Sequence, residues 1–205
     1  MARHRIVFVD VDTQADFMLP GGKLYVPEAE KLLPTIARLR DFAERNGVPV
    51  LASTDAHATD DPEFRQWPPH CVRGTPGQLK VPESLLAQYV VVPRERRAPL
   101  SEDELARYRQ WIVEKDKLDL FSSPQAEEIV RRLDADEYFV YGVATEYCVR
   151  LAVLGLRKLG CKVALLTDAI RGIDAGTTEA ALREMRAAGA ELIHSDQVLA
   201  ARVSA

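Results

Sequence analysis

Cys148 is the residue most able to do chemistry in this chain. It stands in the run GVATEYCV, residues 142–149, directly after the apolar, strand-like residues 138–141. A helical pattern starts near Glu146 and carries Val149, Ala152, Val153 and Leu156. The thiol therefore falls in the first turn of a helix, just past the end of a strand. Backbone N–H groups and the helix dipole there favour a thiolate, and the same N–H groups suit the oxyanion formed when a carbonyl is attacked. A small buried core cysteine would read the same way from Cys148 alone.

Two other segments supply partners. The first apolar run ends in Asp10-Val11-Asp12-Thr13-Gln14-Ala15-Asp16-Phe17, and a later one in Ile112-Val113-Glu114-Lys115-Asp116-Lys117. A carboxylate, a lysine and a cysteine at three strand ends would suit thiol catalysis: the cation lowers the thiol pKa and the carboxylate moves the proton. Asp10 and Asp12 share one face of an extended segment, so either could be that carboxylate. Lys115 and Lys117 compete for the cation, and the apolar residues before Lys115 favour it. Asp55-Ala56-His57 puts two ligand types on one side of an extended segment, and His70 returns after a loop. One carboxylate and two imidazoles suit Zn²⁺, Mn²⁺ or Fe²⁺ with positions left open. Phe17, Trp67 and Tyr147 could wall a flat aromatic ligand or simply fill core and loop space. Cys71 and Cys161 read as buried neutral thiols, and His4 and His194 as surface or edge residues.

These motifs resemble those of the isochorismatase-like cysteine hydrolases and, among them, the nicotinamidases. The first motif is Asp12-Thr13-Gln14-Ala15-Asp16-Phe17, with Pro20-Gly21-Gly22 one residue later than usual. The second is Asp55-Ala56-His57 with Trp67-Pro68-Pro69-His70-Cys71-Val72, and the third is 142–149. The resemblance covers nearly the whole chain, in order. It implies Asp12, Lys115 and Cys148 as catalytic residues, because the spacings to Asp16-Phe17 and to Phe121 fit only these. It also implies a metal on Asp55, His57 and His70, an oxyanion held by the backbone of Ala144 and Cys148, and a cis peptide at 143–144. Asp119 stands where the family often has Ser.

The elements must carry these groups to one place. Strand-like runs fall at 6–11, 48–53, 111–114, 138–143, 162–167 and 191–194, with helical patterns between most of them. Pro34 predicts a late start or kink in the helix carrying Leu32, Leu33, Ile36, Leu39 and Phe42. Ser101 to Glu104 reads as a capping box, Ser123-Pro124 as an N-cap and first position, and Gly160 and Gly189 as helix stops. The alternation predicts a single α/β domain over residues 1–205, with a mostly parallel six-stranded sheet and helices on both faces; the resemblance implies that its layout is isochorismatase-like and Rossmann-like. Residues 89–92 are also strand-like, but 93–99 are broken and basic. Ligands of such sheets bind beyond the carboxyl ends of the strands, where Asp12, Asp55, Lys115 and Cys148 all fall.

Composition narrows the class. At 205 residues, 47% hydrophobic and 28% charged, the chain is long enough for one full core. A net charge of −4 argues against nucleic acid or an anionic membrane as partner. No apolar run is long enough to span a bilayer, and the first residues do not read as a secretory signal. Three cysteines form no even framework, which points to a reducing cytoplasm. A homo-oligomer is left open. The resemblance implies the activity of a metal-containing cysteine amidohydrolase acting on nicotinamide, in pyridine nucleotide salvage. The alternatives are a sister amidase for another small amide or ureido compound, a metabolite-binding α/β module without turnover, and a vinyl-ether hydrolase. No G-x-G-x-x-G follows the first strand, which counts against a dinucleotide fold.

Overall fold

The computed structural model describes residues 5–200; His4 lies outside them. Seven parallel strands form one sheet in the order β3-β4-β2-β1-β5-β6-β7. They are β1 Ile6–Val11, β2 Val50–Asp55, β3 Tyr89–Val92, β4 Gln110–Lys115, β5 Glu137–Val143, β6 Val163–Arg171 and β7 Glu191–Ile193. The six expected strands are present. The seventh, β3, is the strand-like run before the broken basic segment; it pairs with β4 from Tyr89 opposite Gln110 to Val92 opposite Val113 and closes the sheet at one edge. A four-residue edge strand has little periodicity of its own, and its identity comes from that pairing.

Helices longer than five residues are α1 Leu33–Asn46, α2 Glu102–Arg107, α3 Pro124–Leu133, α4 Arg150–Lys158 and α5 Ala175–Ala187. Alternation along β1 distributes the core. Val7, Val9 and Val11 face α3, α4 and α5, packing with Ile129, Val153, Leu156 and Met185. Phe8 faces the other way, towards Ile36, Leu39 and Phe42 of α1. Pro34 sits in the first turn of α1 rather than kinking it, where its missing N–H is harmless. The capping box forms: Glu104 N–H donates to Ser101 Oγ at 3.1 Å, and Ser101 N–H to Glu104 Oε2 at 2.7 Å. Ser123 occupies the N-cap position of α3, but its side chain makes no cap hydrogen bond. The basic cluster is paired, with Arg96 forked onto Glu104 at 2.7 and 2.8 Å and Arg94 on Asp116.

The excursion from the sheet between β2 and β3 carries no helix longer than five residues, and backbone hydrogen bonds tie it down at both ends. Near its start His57 N–H donates to Cys71 O (3.2 Å) and Arg73 N–H to His57 O (2.9 Å). Near its end Ala15 N–H donates to Leu79 O (2.8 Å) and Val81 N–H to Thr13 O (2.9 Å). Among the described residues, no helix is long and apolar enough to cross a membrane.

Candidate active site

The site forms at the carboxyl edge of the central strands. Asp12 follows the last residue of β1, with a left-handed φ of 49°. Asp55 and Lys115 are the last residues of β2 and β4 and lie opposite each other in register. Cys148 sits in a π-helical turn, Thr145–Val149, that precedes α4. Such turns often mark functional positions. The Val143–Ala144 peptide before it is cis.

Lys115 Nζ joins the group. It lies 2.8 Å from Asp12 Oδ2, 2.5 Å from Asp55 Oδ1 and 3.9 Å from Cys148 Sγ. All four residues are buried. A lysine enclosed to this degree needs anionic partners. Burial works against its charge, but Asp12 and Asp55 outweigh it and hold the ammonium well above its ordinary pKa. Burial likewise works to raise the Asp55 carboxyl, while Lys115 and His57 hold it at about 2. Ser53 Oγ donates to Asp12 Oδ1 at 2.6 Å and fixes that carboxylate from below.

Cys148 departs from expectation. A resting thiolate is what the helix start and Lys115 predict. Instead burial pushes the thiol well above its ordinary value; Lys115 pulls it down, but Asp12 and Asp55 add to the rise. The thiol shares a hydrogen bond with Asp12. An acceptor for the thiol proton is therefore already in contact. Cys71 is fully buried and its thiol is also pushed up by burial, as a structural cysteine's would be. Cys161 is only half-buried, because it lies just before β6 rather than within it.

The rivals are placed elsewhere. Asp10 is buried and pairs with Lys80, at 3.1 Å. Lys117 is exposed. His194 is exposed beside Asp168.

Asp55, His57 and His70 bring one ligand atom each to within 4.8 Å of one another. His57 Nδ1 lies 3.0 Å from Asp61 Oδ2, and His70 Nδ1 donates to Pro68 O at 2.8 Å. Both rings are thereby oriented through Nδ1, leaving Nε2 for a metal. His57 Nε2 is buried without a hydrogen-bond partner, and it lies 3.8 Å from Asp55 Oδ2. A buried imidazole nitrogen left unpaired beside a carboxylate fits a divalent cation. Three ligands are too few to close a structural tetrahedral site, so positions remain for water or substrate.

One cavity joins the two groups. Phe17, Trp67 and Tyr147 line it with Cys148, Ala144, Asp55 and His70. The rings of Trp67 and Tyr147 meet edge to face at 5.6 Å, so the excursion after β2 touches the Cys148 turn directly. Leu24, Leu118 and Ile173 complete the apolar wall. Glu63 also lines the cavity, with Oε1 3.9 Å from His70 Nε2 and its carboxyl raised by burial. Neither Glu63 nor Asp61 stands out in the sequence. Glu63 lies in a single-turn 3₁₀ helix, Pro62–Arg65, and Asp61 is its N-cap, accepting from Glu63 N–H at 2.9 Å.

Comparison with known proteins agrees with this geometry. The isochorismatase domain family matches residues 6–109 and 97–197. The nicotinamidase of Escherichia coli K12 is 31% identical over 203 residues, covering 89% of this chain and 91% of that protein. The nicotinamidase/pyrazinamidase of Mycobacterium tuberculosis H37Rv is 32% identical, covering 90% and 96%. Among solved structures, the pyrazinamidase of Pyrococcus horikoshii in complex with zinc superposes with a TM-score of 0.76 at 30% identity, covering 93% and 99%. The parallel sheet, the polar groups gathered at its carboxyl edge and these matches along nearly the whole chain lead to one assignment: the chain belongs to the isochorismatase domain family.

Proposed function

We propose that this protein is a cysteine amidohydrolase that converts nicotinamide and water into nicotinate and ammonia. Asp12, Lys115 and Cys148 converge beside Asp55, His57 and His70, and Cys148, Asp55 and His70 open onto one apolar-walled cavity; that arrangement carries this reading. A planar heteroaromatic amide suits a slot between Phe17, Trp67 and Tyr147.

The chemistry follows from where the protons rest. Cys148 Sγ attacks the carboxamide carbon as its proton passes to Asp12, so no free thiolate need accumulate in a buried site. Backbone N–H groups of Ala144 and Cys148 hold the oxyanion. Asp12 gives the proton to the departing nitrogen; ammonia leaves and a thioester remains. Asp12 then takes a proton from water, hydroxide adds to the thioester carbon, and Cys148 departs with that proton as nicotinate forms. Lys115 Nζ, 2.8 Å from Asp12 Oδ2, pairs with that carboxylate between these transfers. Asp55, His57 and His70 would hold Zn²⁺, Mn²⁺ or Fe²⁺, which supplies a Lewis-acid position for the ring nitrogen and so orients the amide towards Cys148. This chemistry suits a cytoplasmic enzyme of pyridine nucleotide salvage.

Ammonia release from a panel of small amides, with and without chelator, tests the reading. Nicotinamide should be turned over, chelation should stop it, and added metal should restore it. Turnover of a ureido compound with none of nicotinamide would move the protein to a sister amidase.

A further inference from the structure

A second ion pair lies buried beside the first, and the reaction above does not use it. Asp10 is fully buried and Lys80 is 8% exposed, with Lys80 Nζ 3.1 Å from Asp10 Oδ2. Neither residue lines the site cavity. Replacing a buried pair of this kind by apolar residues is often neutral or stabilising, so stability alone accounts for it poorly. Burial pushes the Asp10 carboxyl up even against the pull of Lys80, which shows how little the enclosure favours the charge.

The contacts of the pair lead to Asp12 from two sides. On its own strand, Thr13 Oγ1 donates to Asp10 Oδ1 at 2.8 Å, a bond that spans the Asp12 turn. On the neighbouring strand, Lys80 Nζ donates to Ser53 O at 3.0 Å. Ser53 Oγ in turn donates to Asp12 Oδ1 at 2.6 Å and accepts from Asp12 N–H at 3.3 Å. Lys80 itself is held opposite Gln14, where residues 79–81 run antiparallel to 13–15. The residue so enclosed has a left-handed φ of 49°. A non-glycine residue keeps such a conformation only where its surroundings impose it.

We propose that Asp10 and Lys80 are positioning residues: together they clamp Ser53 and the turn at Asp12 so that the Asp12 carboxylate faces Lys115 and Cys148. The proposal rests on the reading of Asp12 as the group that moves the proton.

The test uses the Asp10→Asn/Lys80→Met double variant, which removes both charges and keeps both shapes. Either single variant would strand a buried charge. Two readouts are needed. One is the rate of Cys148 alkylation by iodoacetamide, followed on the Cys148 peptide without substrate. The other is kcat and KM for nicotinamide. Outer-shell partners of a site are commonly worth tenfold or more in activity, so alkylation and kcat should each fall about tenfold while KM stays within about twofold. Ser53→Ala should lose a comparable amount, and adding the double variant to it should cost little more. A double variant with a lower melting temperature but wild-type alkylation and kcat would make the pair mere core filling and overturn the proposal. Losses that multiply with Ser53→Ala would overturn it too, by placing the effect elsewhere. If the wild type leaves nicotinamide untouched, the proposed function fails, while the alkylation rates still decide the role of the pair.

Discussion

At Cys148 burial and the neighbouring charges act on one proton. Burial and the two carboxylates favour the thiol, Lys115 pulls the other way, and Asp12 lies within hydrogen-bond contact. Cys148→Ala should therefore abolish ammonia release, by several orders of magnitude, while circular dichroism stays that of the wild type; Cys161→Ala should remain active. A Cys148 variant keeping more than a few per cent of the rate would refute the nucleophile. Asp12→Asn and Lys115→Met should each cripple turnover, and the exposed Lys117→Met should not. Equal losses at Lys115 and Lys117 in the same assay would reverse the assignment. These central residues were legible because each ends an apolar run at a fixed distance from a second marker, Asp16-Phe17 or Phe121. Lys80 was not. Its partner Asp10 lies seventy positions away, and only the antiparallel pairing of 79–81 with 13–15 brings the two together.

Elements position these residues through register rather than through local preference. Asp55 faces Lys115 because β2 and β4 pair from Val50 opposite Gln110 onwards. One residue of slip would turn either side chain to the other face. At the end of β5, Gly142 has φ 121°, and a Cβ there would run into the carbonyl oxygen of Val11, the residue before Asp12. Gly142→Ala should cost about 2 kcal/mol or more in urea unfolding and lower kcat as well, since β1 must shift to make room. Gly47, at φ 62° in open space, is the control: alanine there carries only its backbone strain and should leave kcat unchanged. A Gly142→Ala protein as stable as the Gly47→Ala one would contradict this account. Strand and helix alternation was plain in the sequence because buried parallel strands read as apolar runs. Residues 89–92 read as strand-like too, but their place at the sheet edge depends on the neighbour β4, and the π turn at Thr145–Val149, which depends on a single extra residue per turn, was not legible.

Across the whole molecule, two apolar clusters, one on each face of the sheet, form the core, and the proposed ligands meet it where Phe17 packs against His70 with ring centroids 5.4 Å apart. Backbone hydrogen bonds tie down the excursion that carries His57 and His70. Removing the metal should therefore abolish turnover while lowering the melting temperature by only a few degrees. His57→Ala and His70→Ala should each lose about one equivalent of metal per chain by elemental analysis and remain folded. Unfolding on chelation would instead make the metal a structural one.

The excursion between β2 and β3 has a consequence for how such an enzyme could change its diet. One continuous length of chain supplies Trp67 and His70 to the cavity wall and His57 to the ligand cluster beside it, then delivers Lys80 to Asp10 and Ser53 below the Asp12 turn. Grip on the ring and aim of the proton are written on the same ribbon. Lengthening or trimming it to admit a bulkier amide would also move the residue that steadies the proton carrier. A new specificity grafted here would thus have to arrive together with a new way of holding Asp12, or arrive slow.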